Sequence, residues 1–188
     1  MGQLFSRVCG ICLLLKSSGT IEGRKKLQKT VYILKMSRFT FPEEFNWADY
    51  GPYSPELANE IQTMVALGLV DEEKDLAGTY KYSLGEKGRD FLKDYPGLEM
   101  PNSAWESLLA RIAAKLNSKS AFDLELLSSC VFIYDEHQSL EDMANKIISL
   151  KPKYKDSITQ VIDYLKIAAQ LRNASTITRA VEIIDKLN

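Results

Sequence analysis

Residues 54–92 read SPELANEIQTMVALGLVDEEKDLAGTYKYSLGEKGRDFL, and they carry the clearest local pattern in the chain. Ser54 is a favourable N-cap, and Pro55 suits the first position of a helix. Gly68 ends the helical pattern. The inner face of this helix consists of Leu57, Ile61, Met64 and Val65. This stretch therefore predicts a helix with a clear start signal and a clear stop signal.

The segment after this helix alternates in the manner of short strands. Residues 70–76 and 79–84 flank an Ala-Gly pair, and Tyr80, Tyr82 and Leu84 alternate in the second run. This pattern predicts a two-stranded hairpin. A further helix follows, with Phe91 and Leu92 facing inward.

Two helices and one short strand are expected upstream. The first helix ends at residues 17–19, and the second follows directly over about 24–38. Residues 45–53 then predict a short strand that leads into a corner at 50–53. The apolar face of the first helix consists of Leu4, Val8, Ile11, Cys12 and Leu15. The inner face of the second consists of Leu27, Val31 and Leu34.

The order of helix, helix, strand, helix, hairpin and helix is typical of a winged helix-turn-helix. The best linker lies at 95–102, which holds two prolines and a glycine, and the residues after it show helical periodicity. Ser103, Ser120, Ser139, Asp156 or Ser157, and Ser175 mark five helix starts. We therefore expect a mainly α protein with a small β-hairpin or wing. A winged-helix domain over 1–95 precedes a helical domain over 96–188 that packs on it or forms a dimer interface.

The second helix carries a run of basic residues without an acid. Lys25, Lys26 and Lys29 lie on the side opposite Leu27 and Leu34, with Arg24 near the helix start and Tyr32 adjoining them. This face is predicted to grip phosphates or to meet an acidic protein surface. A solvated amphipathic face would give the same pattern.

The third helix has one feature that favours DNA binding, whereas its lack of cations and the acidic hairpin oppose it. The outward residues Asn59, Gln62 and Thr63 can read bases, but no Lys or Arg lies on this helix to hold phosphates. The hairpin is acidic, which would repel a DNA backbone. The predicted nucleic-acid or partner site consists of Arg24, Lys25, Lys26, Lys29, Tyr32, Asn59, Gln62 and Thr63.

The composition excludes several classes of function. The chain has 188 residues, of which 24 are basic and 25 acidic, so no overall charge attracts nucleic acid or an anionic membrane. The uninterrupted apolar run at 11–15 is too short to span a bilayer. Three cysteines make an odd count, which argues against a disulfide framework and for a reducing compartment such as the cytoplasm.

The sequence lacks a recognisable catalytic or cofactor motif. Cys9 and Cys12 have the spacing of a zinc or redox pair, and Cys130 with His137 would complete four ligands, but core and loop positions explain them better. His137, which is the single histidine, lies in a polar turn without a nucleophile signature nearby. No phosphate-binding glycine loop is present. We therefore expect a protein that is not an enzyme and that needs neither metal nor cofactor.

Several segments resemble the YwgA-like family of bacteria and archaea. They are GRKKLQKTVY at 23–32, YGPYSPEL at 50–57, LV at 69–70, YSLGEKGR at 82–89, LELL at 124–127 and LKP at 150–152. The chain is more distantly similar to the Panacea domain, which is found in antitoxins and adaptor-like proteins. The resemblance implies a fold more than a function, because one fold supports many activities.

Two functions are therefore expected. The first is a DNA-binding transcriptional regulator of the winged-helix type. The alternative is a protein-interaction module of antitoxin or adaptor character, with a homodimer through the carboxy-terminal helices as a further possibility.

Overall fold

A computed structural model describes residues 2–94 and 103–187 of the chain. These residues form a mainly helical protein with a small antiparallel sheet, as predicted. The helices are α1 (Gly2–Ser18), α2 (Arg24–Met36), α3 (Pro55–Ala66), α4 (Glu86–Asp94), α5 (Ser103–Asn117), α6 (Ala121–Ile133), α7 (Leu140–Leu150), α8 (Ile158–Asn173) and α9 (Ile177–Ile184). The strands are β1 (Ile21–Glu22), β2 (Asn46–Ala48), β3 (Gly51–Tyr53), β4 (Val70–Lys74) and β5 (Tyr80–Leu84). A 3₁₀ helix over Pro152–Ser157 joins α7 to α8.

The three-stranded sheet has the order β1-β5-β4 with both pairings antiparallel. The predicted hairpin is confirmed, and Val70 pairs with Leu84 in it. Strand β1 is a correction, since the sequence predicts that α2 directly follows α1. Ile21 is fully buried and pairs with Tyr82. A two-residue strand is too short to show alternation, so the sequence could not reveal it.

The segment before α3 forms a second hairpin, which corrects the prediction of one strand and a corner. Strand β2 pairs with β3, and Trp47 lies opposite Pro52. Gly51 follows the turn with a φ of 81°, in the left-handed region that glycine adopts readily. The predicted N-cap of α3 is confirmed, because Ser54 Oγ accepts a hydrogen bond from the Leu57 amide at 3.2 Å.

A single core of buried residues runs through both halves of the described chain. Helix α1 packs on α5, and α2 packs on α6. Helix α6 lies at the centre, as its apolar sequence predicts, with every residue from Leu124 to Val131 buried. The division into domains at 95/96 stays a prediction, and the linker at 95–102 lies outside the described residues.

Two of the predicted N-caps of the last helices are confirmed, whereas Ser157 precedes α8 without accepting a capping hydrogen bond. Ser120 and Ser139 cap α6 and α7 by accepting hydrogen bonds from Asp123 and Asp142 amides. Thr176 caps α9, one residue later than predicted. Leu4 was predicted on an apolar face and Ser103 at an N-cap, and the structure describes the backbone of these two residues but not their side chains.

The connection between α2 and β2 contains a fully buried carboxyl group, that of Glu43. Neither of its oxygens accepts a hydrogen bond from the described residues. Burial raises the pKa of Glu43, although Arg7 and Lys35 partly oppose this rise. Ionisation of Glu43 is therefore more costly in the folded protein than in the unfolded chain.

We expect Glu43→Gln to raise the free energy of unfolding at pH 7, because a neutral side chain avoids the cost of a buried carboxylate. A carboxyl group whose pKa is raised by folding destabilises the fold once the pH exceeds its pKa in the unfolded chain. The stability gained by Glu43→Gln should therefore vanish near pH 4. Urea unfolding at both pH values measures it. An equal change in the free energy of unfolding at pH 7 and pH 4 would contradict the idea that Glu43 has a raised pKa. The matched control is Glu44→Gln, next in the chain, where we expect no such difference.

Candidate site around Lys29 and Glu125

Part of the basic side of α2 is covered, which corrects the prediction of an open face at Lys29 and Tyr32, whereas the side chains of Arg24 and Lys25 are 56% and 36% exposed. Lys29 is only 1% exposed, and its Nζ donates a hydrogen bond to the Pro52 carbonyl oxygen at 2.5 Å. Tyr32 is also buried, with its ring 5.1 Å from that of Phe45. Lys26 Nζ donates to the Asn117 carbonyl oxygen at 2.5 Å. Strand β3 and helices α5 and α6 pack against α2 and cover part of the side that was expected to face solvent.

Glu125 of α6 holds three lysine ammonium groups. Its Oε2 is 3.0 Å from Lys25 Nζ, and its Oε1 is 2.9 Å from Lys151 Nζ and 2.6 Å from Lys153 Nζ. Lys151 Nζ also donates to the Asp49 carbonyl oxygen at 2.9 Å. We name Glu125, Lys25, Lys29, Lys151 and Lys153 the lysine cluster. Three ammonium groups share one carboxylate, so the cluster carries excess positive charge.

The charge states of the cluster follow from burial and neighbouring charges. Burial of Glu125 opposes its ionisation, but hydrogen bonds from Lys153, Lys151 and Lys25 outweigh burial and lower its pKa to about 2. Burial lowers the pKa of Lys29 to about 7, and the other three ammonium groups add to this effect against the attraction of Glu125. Glu125 is therefore ionised at neutral pH, whereas Lys29 titrates there.

Gln28 joins α2 to the start of α3. Its Nε2 donates to the Ser54 carbonyl oxygen at 2.9 Å, and its Oε1 accepts from the Ser54 amide at 3.0 Å. Both partners are buried, so this paired contact fixes the distance between the two helices. The adjacent residue of α2, Lys29, contacts strand β3 through its hydrogen bond to the Pro52 carbonyl oxygen.

A cavity of about 520 Å³ lies between α2, the β2–β3 hairpin, α3 and β5. Five of the eight residues of the predicted site line it, namely Arg24, Lys25, Lys29, Asn59 and Gln62. Tyr50, Tyr53 and Tyr82 provide aromatic walls. Lys26, Tyr32 and Thr63 do not line it, and the Thr63 hydroxyl donates to the Asn59 carbonyl oxygen at 3.0 Å.

Exposed aromatic rings adjoin the lysine cluster. Tyr50 is 59% exposed and Phe122 is 42% exposed. Lys25 Nζ lies 3.9 Å from the Tyr50 ring centroid, and Lys153 Nζ lies 5.9 Å from Tyr50 and 5.7 Å from Phe122. Tyr53, at 40% exposed, continues this region along the cavity rim. We name Tyr50, Tyr53, Phe122, Lys25 and Lys153 the aromatic surface.

Asn59, Gln62 and Thr63 are exposed on α3, as predicted. Gln62 Nε2 donates to Glu72 Oε2 at 3.3 Å. The same Glu72 oxygen accepts the Tyr82 hydroxyl at 2.6 Å and lies 3.8 Å from an Arg24 nitrogen. Helix α3 and the hairpin therefore share a network in which Arg24 is already paired with an acid.

The three cysteines are free and buried, and burial raises the pKa of Cys12 to about 12. His137 lies in an exposed turn, where its Nε2 is 3.7 Å from Glu136. Within the described ranges, no group of three or more His, Cys, Asp or Glu side chains could hold a metal ion. None of the described helices is long and apolar enough to cross a membrane.

The sequence analysis missed Glu125, Lys151, Lys153, Tyr50 and Tyr53 as members of a site. One signal was available. Glu125 is a single carboxylate within the apolar run 124–127, and such a residue in a central helix must be paired. The identity of its partners depends on the tertiary structure, since Lys25 lies a hundred residues away.

The fold and this cluster define a mainly helical protein in which a small antiparallel sheet and a buried ion-pair cluster frame one cavity. The chain is 36% identical over 162 residues to the uncharacterized protein YwgA of Bacillus subtilis strain 168. The match covers 81% of this chain and 92% of that relative. The chain therefore belongs to the YwgA family. No protein-family model matches it.

Proposed function

We propose that the chain is a non-enzymatic winged-helix module that binds an acidic segment of a partner protein, in the manner of an antitoxin or adaptor. The winged-helix assignment is supported by the element order from α1 to α4 and by the sheet order β1-β5-β4. The proposed site of action is cytoplasmic. The observation that carries the binding proposal is the aromatic surface beside the lysine cluster.

The composition of the aromatic surface favours a protein partner. Tyrosine is enriched at the energetic centres of protein interfaces, and the two lysines keep their side chains 36% and 42% exposed. An acidic segment could pair with the excess positive charge while its apolar groups cover the rings of Tyr50, Tyr53 and Phe122.

The distribution of acids argues against a DNA backbone as the main partner. Helix α3 carries Glu56 and Glu60 without a Lys or Arg, and β4 carries Asp71, Glu72 and Glu73. A phosphate backbone on these elements would face five acids and a single cation, Lys74. Lys26 and Lys29, which were expected to supply those cations, make internal hydrogen bonds instead.

A DNA-binding transcriptional regulator is the second candidate, and one observation favours it. Asn59, Gln62 and Thr63 are exposed on α3, where a winged helix would present side chains to the major groove. The exposed side chain of Arg24 lies near them on the cavity wall.

We expect Tyr50→Ala to weaken binding of the partner about 30-fold, because a tyrosine at the centre of an interface is an energetic hot spot. The partner is first identified by a benzoylphenylalanine crosslinker at position 50, with position 76 as the negative site. Its affinity for the purified wild-type and variant proteins is then measured by calorimetry. Leu76→Ala is the matched control, because Leu76 is fully exposed at the hairpin tip.

A DNA titration separates the two candidates. If wild-type protein binds duplex DNA at about 50 mM salt, and Asn59→Ala changes sequence preference while Tyr50→Ala does not, the regulator replaces our proposal. Solution mass measured alongside tests the further proposal of a homodimer through the carboxy-terminal helices, where Leu150 and Ile158 are exposed.

A further inference from the structure

The cavity above Lys29 has the properties of a small-molecule site. Its volume of about 520 Å³ falls in the range of ligand pockets, and its wall is mainly apolar with a few polar groups. Leu57, Ala58 and Ile61 of α3 form one wall, and Tyr50 and Tyr53 of the hairpin form another.

Lys29 is a buried polar group of this cavity with one hydrogen-bond acceptor among the described residues. An ammonium group has three N–H donors, and the described residues supply one acceptor, the Pro52 carbonyl oxygen. The neighbouring Gln28 amide, by contrast, is paired on both its nitrogen and its oxygen. The side chain of Lys29 is therefore buried against the cavity, and two of its three N–H donors have no acceptor among the described residues.

The charges that face Lys29 favour an anion as the missing partner. Lys25 faces it from its own helix, Lys151 from the junction of α7 and the 3₁₀ helix, Lys153 from the 3₁₀ helix, and Glu125 from α6. The single carboxylate is already shared by three ammonium groups, so a second anion would be attracted.

We propose that this cavity binds a small organic anion, with an aromatic carboxylate as the class that fits best. The carboxylate would accept hydrogen bonds from Lys29, and the ring would pack between the tyrosines and α3. This site goes beyond the proposed protein binding, since a small anion requires only the cavity. Either proposal can fail without the other.

A matched pair of probes tests the proposal by ligand-observed NMR and calorimetry. Benzoate should bind with a Kd in the millimolar range, as expected for a ligand of about nine heavy atoms. Benzamide has the same shape without the charge and should bind at least about tenfold more weakly. Inorganic phosphate, which lacks the ring, should also bind at least about tenfold more weakly than benzoate.

Binding should also depend on the protonation of Lys29. Because the pKa of Lys29 is lowered to about 7, the free protein is largely neutral at this side chain above that pH. Benzoate stays ionised throughout, so its affinity should fall about tenfold from pH 6 to pH 9. Benzamide affinity should not change over this range.

Two variants assign the effect to the cavity. Lys29→Met should lower benzoate affinity about tenfold, whereas Lys166→Met, at an exposed lysine of α8, should leave it unchanged. Ala58→Phe fills the cavity while Lys29 is kept, and it should abolish benzoate binding even if Lys29→Met fails to fold. Equal binding of benzoate and benzamide, undetectable binding of benzoate at about 10 mM, or benzoate binding that survives Ala58→Phe would overturn the proposal.

Discussion

Replacement of Glu125 by alanine should lower the free energy of unfolding by about 3–5 kcal/mol. The carboxylate is 1% exposed and accepts from three ammonium groups. Its removal leaves Lys151, which is itself 4% exposed, without a counter-charge in the interior. It also removes the attraction that favours the charged form of Lys29, so the repulsion among the four lysines is no longer compensated.

Urea unfolding at pH 7 measures this loss. Glu136→Ala is the control, because Glu136 is a 70% exposed loop carboxylate that contacts only His137 by ion pairing. The control should change stability by less than about 0.5 kcal/mol. A second change, Lys151→Met in the Glu125→Ala background, should recover part of the loss, since it removes the stranded buried charge. Equal loss in Glu125→Ala and Glu136→Ala would refute the role of the cluster.

The pH dependence of stability has a defined sign for this carboxylate. The pKa of Glu125 is lowered to about 2 in the folded protein, against 4.5 as its ordinary value. Its contribution is therefore present above pH 4.5 and is lost as the pH falls from about 4.5 to 2. The wild-type protein should lose stability more steeply over this window than Glu125→Ala.

Local sequence signals predicted much of the fold. The N-cap at Ser54, the β4–β5 hairpin and the caps at Ser120 and Ser139 depend on neighbouring residues, so the sequence alone was sufficient for them. Strand β1 depends instead on its pairing with β5, which is distant in the chain. The two residues of β1 are too few to show the alternation of apolar and polar residues that marks a strand.

The candidate site was predicted in part, and the misplacement of Lys29 has a physical reason. A helical wheel separates apolar from charged residues and so assigns lysines to solvent. Strand β3 and helices α5 and α6 also pack on the polar side of α2, and Lys29 can be buried because its long aliphatic stem packs while Nζ reaches the Pro52 carbonyl. The acceptor lies on β3 and Glu125 on α6, so no local pattern could identify these partners.

Lys29 makes stability rise with pH, and Lys29→Met should abolish the rise. Burial lowers the pKa of Lys29 to about 7 from 10.5, so the unfolded chain binds more protons between these values. The destabilising effect is complete below pH 7 and is relieved as the pH rises toward 10.5. Between pH 7 and 9 the wild-type protein should therefore gain about 2–3 kcal/mol relative to Lys29→Met.

The slope of stability against pH, and not the stability at one pH, is the quantity to compare. Lys29→Met also leaves the Pro52 carbonyl oxygen without its donor, but that loss is the same at every pH. The cysteines begin to ionise in the unfolded chain from about pH 8 and the tyrosines from about pH 9, while burial raises the pKa of Cys12 and Tyr82 in the fold. Their ionisation opposes the rise and limits the useful window.

Urea unfolding at half-unit steps from pH 7 to 9 measures the two slopes. Lys166→Met should keep the wild-type slope, because Lys166 is 55% exposed and pairs only with Asp163 on the surface. Parallel curves for wild type and Lys29→Met would mean that Lys29 keeps an ordinary pKa. In that case the buried ammonium must be fully compensated by Glu125, and the cavity would have no need of a second anion.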